Sequence, residues 1–565
     1  MAYDLRQEPW IPWLRRSGAV EWGSPAVLLD GLGVDPVVAI AAPRPDFDGA
    51  LQEFLIGLLT VALHPGDEDE WLDSWKAPPT PDELQAKLDL LPPAFDLEGD
   101  GPRFFQDLSA DEMRDGAEWS VESLFIDTPG STVGEAGRRQ IVTDLFVKPA
   151  RVERLCRPAA AMALVTLQTY APEGGRGHLT SMRGGGPLTT IVDPRVDHEG
   201  RGRAHEQPLW SKLWANVETV ELWSRRGTSA FARPEAVFPW LAPTRSAAPP
   251  KRLATTSSDV SPLQAYFGMP RRIRLEFAGP GRCDLTGVED TATVARFWMR
   301  TYGVQYERWQ HPLTPYYQAK SSDERLPVHG KPGGIAWRDW LGLTLRIPDA
   351  IAGREPARVV ANFVDRAHRV GKITARLHAF GYATSHAKAI AWTEAKLPVF
   401  PVADPNHQRL LADAATRLTN AAGIASTALL DAVKRALFDK PADAPGDLSE
   451  VKAELWADTE AAFFDAMRRV ASPDTTVEHV DEICRGFART LSGSATAVFD
   501  RWCATDGVIP AAMRRLVGAR FGLVMTLTGH SKLGKKLFEA LGIAVADGGR
   551  TTRTAKSRSR KEGKT

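Results

Sequence analysis

The amino-acid sequence predicts an α+β protein in which a large mixed N-terminal domain is followed by a C-terminal four-helix bundle. The chain has 565 residues, which is more than one ordinary domain contains. Up to about residue 366, short helix-like and strand-like segments alternate with frequent Pro and Gly. From about residue 404, four long segments follow, each with a single apolar stripe at helical spacing.

The N-terminal domain, predicted over residues 1–366, contains clear local signals. The segment Thr80-Pro81-Asp82-Glu83 has the pattern of a capping box with Pro at the first helical position, so a helix begins there. Residues 272–277 alternate basic and apolar side chains, which is the period of a half-buried strand. One buried helical stripe is predicted from five apolar residues, Phe47, Leu51, Leu55, Leu58 and Ala62.

The C-terminal part is divided into three segments. Residues 367–403 are predicted to form a connecting hairpin or linker, with strands near 376–379 and 389–392 separated by Gly381 and polar residues. Residues 404–545 are predicted to form the bundle, because the breaks between the four stripes are short and favour antiparallel packing. Residues 546–565 are rich in Arg, Lys, Ser and Thr, and this composition predicts a disordered basic tail.

Composition indicates a folded cytoplasmic protein without a global charge for nucleic-acid binding. Hydrophobic residues make up 43% and charged residues 25%, and the 70 Lys and Arg balance the 70 Asp and Glu. Any DNA contact must therefore come from local basic patches. The four cysteines are far apart and predict reduced, mostly buried thiols. The N-terminus has no signal-peptide core, and no apolar run reaches the roughly 18 residues of a membrane span.

The most informative local feature is the glycine-rich segment at residues 174–186. Gly174, Gly175 and Gly177 would let backbone N–H groups approach a phosphate or sugar closely. Arg176 and Arg183 would supply positive charge for the same partner. The spacing does not match G-x-G-x-x-G, so a dinucleotide-binding fold is not supported. A glycine loop without a ligand explains the same residues equally well.

Motifs for catalysis are missing from the sequence. The segment at residues 529–535 fits G-x-x-x-x-G-K, but Lys536 stands where a P-loop needs Ser or Thr, and a helical pattern precedes it. The histidines show no HExxH or repeated metal spacing, and there is no G-x-S-x-G elbow. The sequence therefore predicts no catalytic residue, no metal and no cofactor. The alternative kept open is a metal-dependent nuclease acting on foreign nucleic acid.

Four segments, taken together and in order, resemble the CasA family, the large subunit of the type I-E CRISPR Cascade complex. They are residues 4–12 (DLRQEPWIP), 183–190 (RGGGPLTT), 262–273 (PLQAYFGMPRRI) and 309–317 (WQHPLTPYY). The resemblance implies a non-catalytic protein that reads a short motif beside the target, the PAM, in double-stranded DNA from the minor groove. It also implies strand separation and R-loop formation with the guide RNA. The implied partners are target DNA, the crRNA-containing Cascade complex with its other subunits, and a helicase–nuclease that the protein helps to recruit.

The resemblance also implies roles for individual residues near the PAM. The family's DNA-binding glycine loop falls on residues 174–177, that is Gly174, Gly175, Arg176 and Gly177. Its minor-groove finger falls on Arg300, counted back from Trp309. Its strand-separating wedge falls on Ala361 and Asn362, and its aromatic residue in a loop near crRNA and PAM falls on Phe125.

Two further implications concern metal and partners. Some relatives carry two CxxC pairs that look like a zinc site, whereas only Cys283 remains at these positions here, so no zinc is expected. The bundle of the family contacts small helical subunits and helps to guide the displaced strand. The basic residues Arg514, Arg515 and Arg520 are the candidates for that role in this chain.

Overall fold

The structure is a computed structural model that describes residues 3–128, 151–175, 177–196, 207–225, 233–318, 324–345, 353–370, 373–385, 388–443, 448–503 and 510–544. The chain forms two compact units, Met1–Ala412 and Asp413–Thr565. Described strands lie only in the first unit, and the second is helical. The predicted α+β class with a helical C-terminal region is thereby confirmed.

The strands are short except for the last two, and most lie in small antiparallel sheets. In chain order they are Ile11–Arg15 (β1), Val20–Gly23 (β2), Val37–Ile40 (β3), Ala117–Ser120 (β4), Leu155–Cys156 (β5), Thr189–Val196 (β6), Ala254–Thr255 (β7), Arg272–Ala278 (β8), Gly281–Arg282 (β9), Glu289–Asp290 (β10), Thr293–Arg300 (β11), Gln305–Tyr306 (β12), Tyr316–Gln318 (β13), Arg325–Pro327 (β14), Arg354–Glu355 (β15), Ile373–Ser385 (β16) and Lys388–Val399 (β17).

Most α-helices before residue 400 are short, and most of those after it are long. In chain order they are Pro45–Leu63 (α1), Glu68–Lys76 (α2), Pro81–Asp89 (α3), Ala110–Arg114 (α4), Arg157–Tyr170 (α5), Leu209–Trp214 (α6), Val220–Ser224 (α7), Pro234–Val237 (α8), Trp340–Thr344 (α9), Arg358–Arg366 (α10), Pro405–Leu437 (α11), Ser449–Val470 (α12), Val477–Trp502 (α13), Pro510–Leu527 (α14) and Lys532–Leu541 (α15). Among the described residues there are also six 3-10 segments, Pro25–Leu29, Val121–Leu124, Pro239–Leu241, Pro262–Phe267, Trp337–Asp339 and Pro441–Asp443.

Helix α1 forms the centre of the first unit. All five residues of its predicted stripe are buried, and the burial extends around the helix to Gln52, Glu53 and Thr60. Helix α5 and the 3-10 segment Pro262–Phe267 pack against it. Around Phe54, the rings of Trp10, Phe104 and Phe267 meet mostly edge to face. The capping box at Thr80 is confirmed, since its hydroxyl accepts from the Glu83 N–H and the Glu83 carboxylate accepts in return.

Strand β11 organises the sheet that carries the candidate site. It pairs antiparallel with β4, β5 and β8, so that Phe297 lies opposite both Trp119 and Leu275, and Arg300 lies opposite Arg272. The prediction of a half-buried strand at residues 272–277 is only partly right. Ile273 and Leu275 are buried, but so are Arg272 and Arg274, because both faces of this part of β8 are covered.

The predicted hairpin is confirmed as β16 and β17, which pair antiparallel from Ala375↔Val399 to Ser385↔Lys388. Its turn, at residues 386–387, lies outside the described residues. The sequence assigned this segment to a separate connector, whereas β16 pairs with β6 from Ile373↔Val196 to Phe380↔Thr189. The hairpin therefore belongs to a three-stranded sheet of the first unit.

The described residues of the second unit include the four predicted long helices, of which α11 begins before the boundary, at Pro405, and one shorter helix, α15. Helices α12 and α13 pack along each other, and α14 contacts α13 and α15. An ion pair at 3.0 Å between Arg417 of α11 and Asp481 of α13 ties the first helix to the third. Among the described helices, none by itself combines the length and apolar character of a membrane span; only the bent pair α1 and α2 does so, by length and composition alone. The predicted basic tail lies outside the described residues.

Candidate nucleic-acid interface

The glycine loop predicted at residues 174–177 is a tight turn. The His178 N–H donates to the Gly175 carbonyl at 3.0 Å, and the Gly174 N–H donates to the His178 carbonyl at 3.4 Å. Gly175 and Gly177 have φ of +88° and +81°, a left-handed conformation that side chains other than glycine rarely adopt. Arg176 lies outside the described residues. The turn therefore needs glycine for its own backbone, and Gly174 and Gly175 are exposed.

The structure places this turn directly against the end of β11. The Tyr302 N–H donates to the Gly177 carbonyl at 2.7 Å. A Cβ atom added to Gly177 would lie 2.7 Å from the Cβ of Thr301, so no larger residue fits there. The glycine loop and the segment that carries Arg300 are thus neighbours, although they are far apart in sequence.

Arg300 lies at the surface beside helix α4. Its side chain is 35% exposed, and its guanidinium donates to the Glu112 carbonyl oxygen at 2.8 Å. The Glu112 carboxylate lies 3.9 Å away and pairs more closely, at 2.7 Å, with Arg272. Arg300 is therefore held loosely, by contacts that an exposed arginine can exchange for a ligand at small cost.

Arg183 does not supply charge to a ligand, contrary to the sequence prediction. Its guanidinium is buried and forms an ion pair with Glu53 of α1 at 2.8 Å. The same carboxylate accepts hydrogen bonds from the Tyr170 and Thr189 hydroxyls, at 2.5 and 2.6 Å. Arg183 also donates to the Thr314 hydroxyl. This network anchors the chain that leaves the glycine loop to the central helix of the first unit.

A second arginine, Arg271, lies directly beneath the glycine loop and was missed in the sequence analysis. It is 6% exposed, and its guanidinium donates to the Pro172 carbonyl. Its backbone is held by Gln168, whose side-chain amide bonds to both the N–H and the C=O of Arg271. Burial lowers the pKa of this guanidinium to about 10. It also lowers the pKa of His178 in the turn, and the charge of Arg271 adds to that effect.

Trp119 on β4 is the most exposed of the tryptophans that the structure describes, at 38%. Its ring lies edge to face with the His178 ring, with centroids 6.2 Å apart. An exposed aromatic ring beside a glycine turn is a surface on which a nucleic-acid base can stack. No sequence signal separates this tryptophan from the buried ones.

The two other predicted sites are placed elsewhere in the fold. Ala361 and Asn362 lie on helix α10 and not at the tip of a loop. The Asn362 amide donates to the carboxylate of the buried Glu218 at 2.9 Å, which occupies the side chain proposed as a wedge. Phe125 is 7% exposed, and its ring packs against Phe47 with Arg44 over one face. Its ring is therefore part of the core at a loop edge.

The cysteines are buried, and two of the three basic residues predicted to act in the bundle lie in ion pairs. All four thiols are free and buried, and the Cys156 sulfur lies 3.6 Å from the hydroxyl of Thr286, in the turn that follows Cys283. Within the described ranges no group of three or more His, Cys, Asp or Glu side chains is arranged to hold a metal ion. In the bundle, Arg515 pairs with Asp439, and Arg520 pairs with Asp500 at 2.8 Å.

Comparison with known proteins gives one family and a consistent fold. The family model described as CRISPR-associated protein Cse1 matches residues 4–498. The structure is similar to Cse1 from Thermobifida fusca, with a TM-score of 0.67 and 18% identity over 96% of this chain and 99% of that chain. The structure of CasA from Thermus thermophilus gives a TM-score of 0.65 and 17% identity over 93% of this chain and 99% of that chain. A chain of a solved CRISPR RNA-guided surveillance complex gives a TM-score of 0.64 and 17% identity over 92% of this chain and 99% of that chain. A search of curated proteins gives no match.

Proposed function

The chain belongs to the CRISPR-associated protein Cse1 family, and from this premise we propose that it is the large DNA-recognising subunit of an RNA-guided Cascade surveillance complex. In this role it has no chemistry of its own. It binds double-stranded DNA at the PAM through the minor groove and promotes strand separation, so that the guide RNA pairs with one strand and an R-loop forms. It also helps to recruit the helicase–nuclease. Its partners are the crRNA and the other subunits of the complex.

One observation carries the proposal, namely that the glycine turn and the end of β11 form a single surface. The hydrogen bond between Tyr302 and Gly177 fixes the two segments side by side. A turn rich in glycine can approach the shallow edge of a base pair closely, and arginine suits a narrow minor groove, where the negative potential is enhanced. Readout in this groove is degenerate, so tolerance of several PAM sequences is natural for such a surface.

Strand separation and recruitment use other parts of the chain in this proposal. For Asn362 to act as a wedge, its amide has to exchange the hydrogen bond with Glu218 for a contact with DNA. In the bundle, Arg514 is exposed, whereas Arg515 and Arg520 lie in ion pairs with acids at the surface. Such pairs are weak and salt-sensitive, so they can open to a phosphate.

Replacing Arg300 with Ala is expected to weaken PAM-dependent binding by about 1–3 kcal/mol, the value of one good base-edge contact. The measurement is an electrophoretic shift of the assembled complex with duplexes that share the target and differ in the PAM. Arg296→Ala is the matched control, because Arg296 lies on the same strand, is more exposed and pairs with Glu118 and Glu276. Equal affinities for the Arg300 variant and the unaltered protein would remove this residue from the site.

Replacing Trp119 with Ala is expected to weaken binding to target DNA by about 1–3 kcal/mol, because one base loses its stacking partner. Trp119→Phe keeps an aromatic face and should retain most of the affinity. Binding is compared for closed duplexes and for duplexes opened by a short mismatch beside the PAM. A loss that is the same for Ala and Phe would show that the ring is not a stacking surface.

A further inference from the structure

Most buried arginines of the first unit form ion pairs with acidic residues, and Arg271 differs from them in this respect. Arg183, Arg272 and Arg366 are each buried in an ion pair, with Glu53, Asp107 and Glu68. For Arg271, no carboxylate lies within ion-pair distance among the residues that the structure describes. Its Nε atom also has no hydrogen-bond partner there. A buried cation without a counter-charge is costly, so its retention needs a reason.

The guanidinium of Arg271 is in contact with the inner side of the glycine turn. A Cβ atom added to Gly174 would lie 3.1 and 3.2 Å from its two terminal nitrogens. The outer side of the turn is different, since a Cβ atom added to Gly175 would meet nothing within 4 Å. Among the described residues of the turn, the buried positive charge therefore lies against Gly174, and the space beside Gly175 is open.

This arrangement favours an anion on the open side. Between a buried cation and an anion seated on the turn there is little water to screen the attraction, so the interaction is stronger than between two exposed charges. The backbone of a glycine turn offers N–H donors to such an anion. The low pKa of Arg271 shows the cost of its burial, and a bound anion would offset that cost.

We propose that Arg271 is the positioning cation of a phosphate site on the turn at residues 174–178, where a backbone phosphate of target DNA is held next to the base edges that Arg300 reads. This inference rests on the proposed function and adds to it a residue that acts through the turn and does not touch the DNA. In this proposal the glycine loop attracts the DNA phosphate electrostatically, in addition to allowing the DNA to approach closely.

The test compares Arg271→Met with Arg271→Lys and Arg274→Met in the assembled complex. Arg274 is the matched control because it lies on the adjoining strand, is also buried, bonds to the Asp107 carbonyl and has its pKa lowered to about 10 by burial. The dissociation constant for a PAM-containing duplex is measured across a series of salt concentrations. Arg271→Met is expected to weaken binding about tenfold and to reduce the slope of log affinity against log salt by about one phosphate contact. Arg271→Lys and Arg274→Met should keep the slope of log affinity against log salt that the unaltered complex shows.

The outcomes separate this inference from the proposed function. If the unaltered complex binds duplexes with and without a PAM equally, the proposed function fails. If that complex is PAM-dependent but Arg271→Met keeps the unaltered slope, the phosphate site is refuted and the proposed function stands. Should Arg271→Met fail to fold, Arg271→Gln serves instead, because it removes the charge and keeps a polar side chain that can donate to the Pro172 carbonyl, and the slope should fall. An unchanged slope in that variant would refute the site.

Discussion

Replacing Arg183 with Met is expected to lower the free energy of unfolding of the first unit by about 3–5 kcal/mol, because Glu53 is left as a buried charge without its partner. The Glu53 carboxylate accepts from Arg183, Tyr170 and Thr189 in the centre of the unit. Removing the guanidinium takes away the only cationic donor of the three. The two hydroxyls that remain do not compensate a buried carboxylate.

Chemical denaturation followed by tryptophan fluorescence measures this effect. All of the 17 tryptophans except Trp456 and Trp502 lie before residue 413, so the signal reports mainly on the first unit. The control is Arg225→Ala, which breaks an exposed pair with Glu221 and should cost about 0–1 kcal/mol. Pairing Arg183→Met with Glu53→Leu should recover part of the loss, since no buried charge then remains. If Arg183→Met lowered the free energy of unfolding no more than Arg225→Ala does, the role given to the network would be contradicted.

Replacing Gly303 with Ala is expected to destabilise the first unit by about 3 kcal/mol and to weaken PAM-dependent binding at least tenfold. The added Cβ atom would lie 2.0 Å from the Pro270 carbonyl oxygen and 2.6 Å from its carbon, so the two chains must separate. Gly303 follows Thr301 and Tyr302, the two residues that contact Gly177, and Pro270 precedes Arg271. One methyl group therefore displaces both sides of the proposed DNA surface.

Gly279→Ala provides the control for Gly303→Ala. Gly279 follows β8 in the same sheet, and a Cβ atom added there would meet nothing within 4 Å. Thermal unfolding and duplex binding are measured for both variants. Gly279→Ala should leave both unchanged, and a Gly303 variant with normal affinity would show that the spacing of these two chains does not matter for DNA.

Much of the fold was predictable because its signals are local. The capping box at Thr80, the apolar stripe of α1 and the four long helical patterns each depend on residues a few positions apart. The burial of the arginines on β8 was not predictable in this way. The alternation of residues 272–277 indicates one polar face, but Asp107 and Glu112 cover that face from a distant part of the chain.

In the candidate site, too, the features set by local sequence were predictable and those set by distant contacts were not. The glycine turn was predictable, because glycine is the local requirement for its left-handed backbone. The role of Arg183 was predicted wrongly, because its partner Glu53 lies 130 residues away and no local pattern reveals it. Trp119 and Arg271 were missed for the same reason, since their exposure and burial are set by tertiary contacts. The places of Asn362 and Phe125 came from resemblance alone, and their roles stay predictions.

Photo-crosslinking tests the central claim most directly. Trp119, which lies beside His178 of the glycine turn, is replaced with a photoreactive aromatic amino acid in the assembled complex. On irradiation with a target duplex, crosslinks are expected at nucleotides of the PAM and the first base pairs beside it, and they should fall sharply when the PAM is changed. Crosslinks that form equally with and without a PAM, or that map only to distant DNA, would contradict the account.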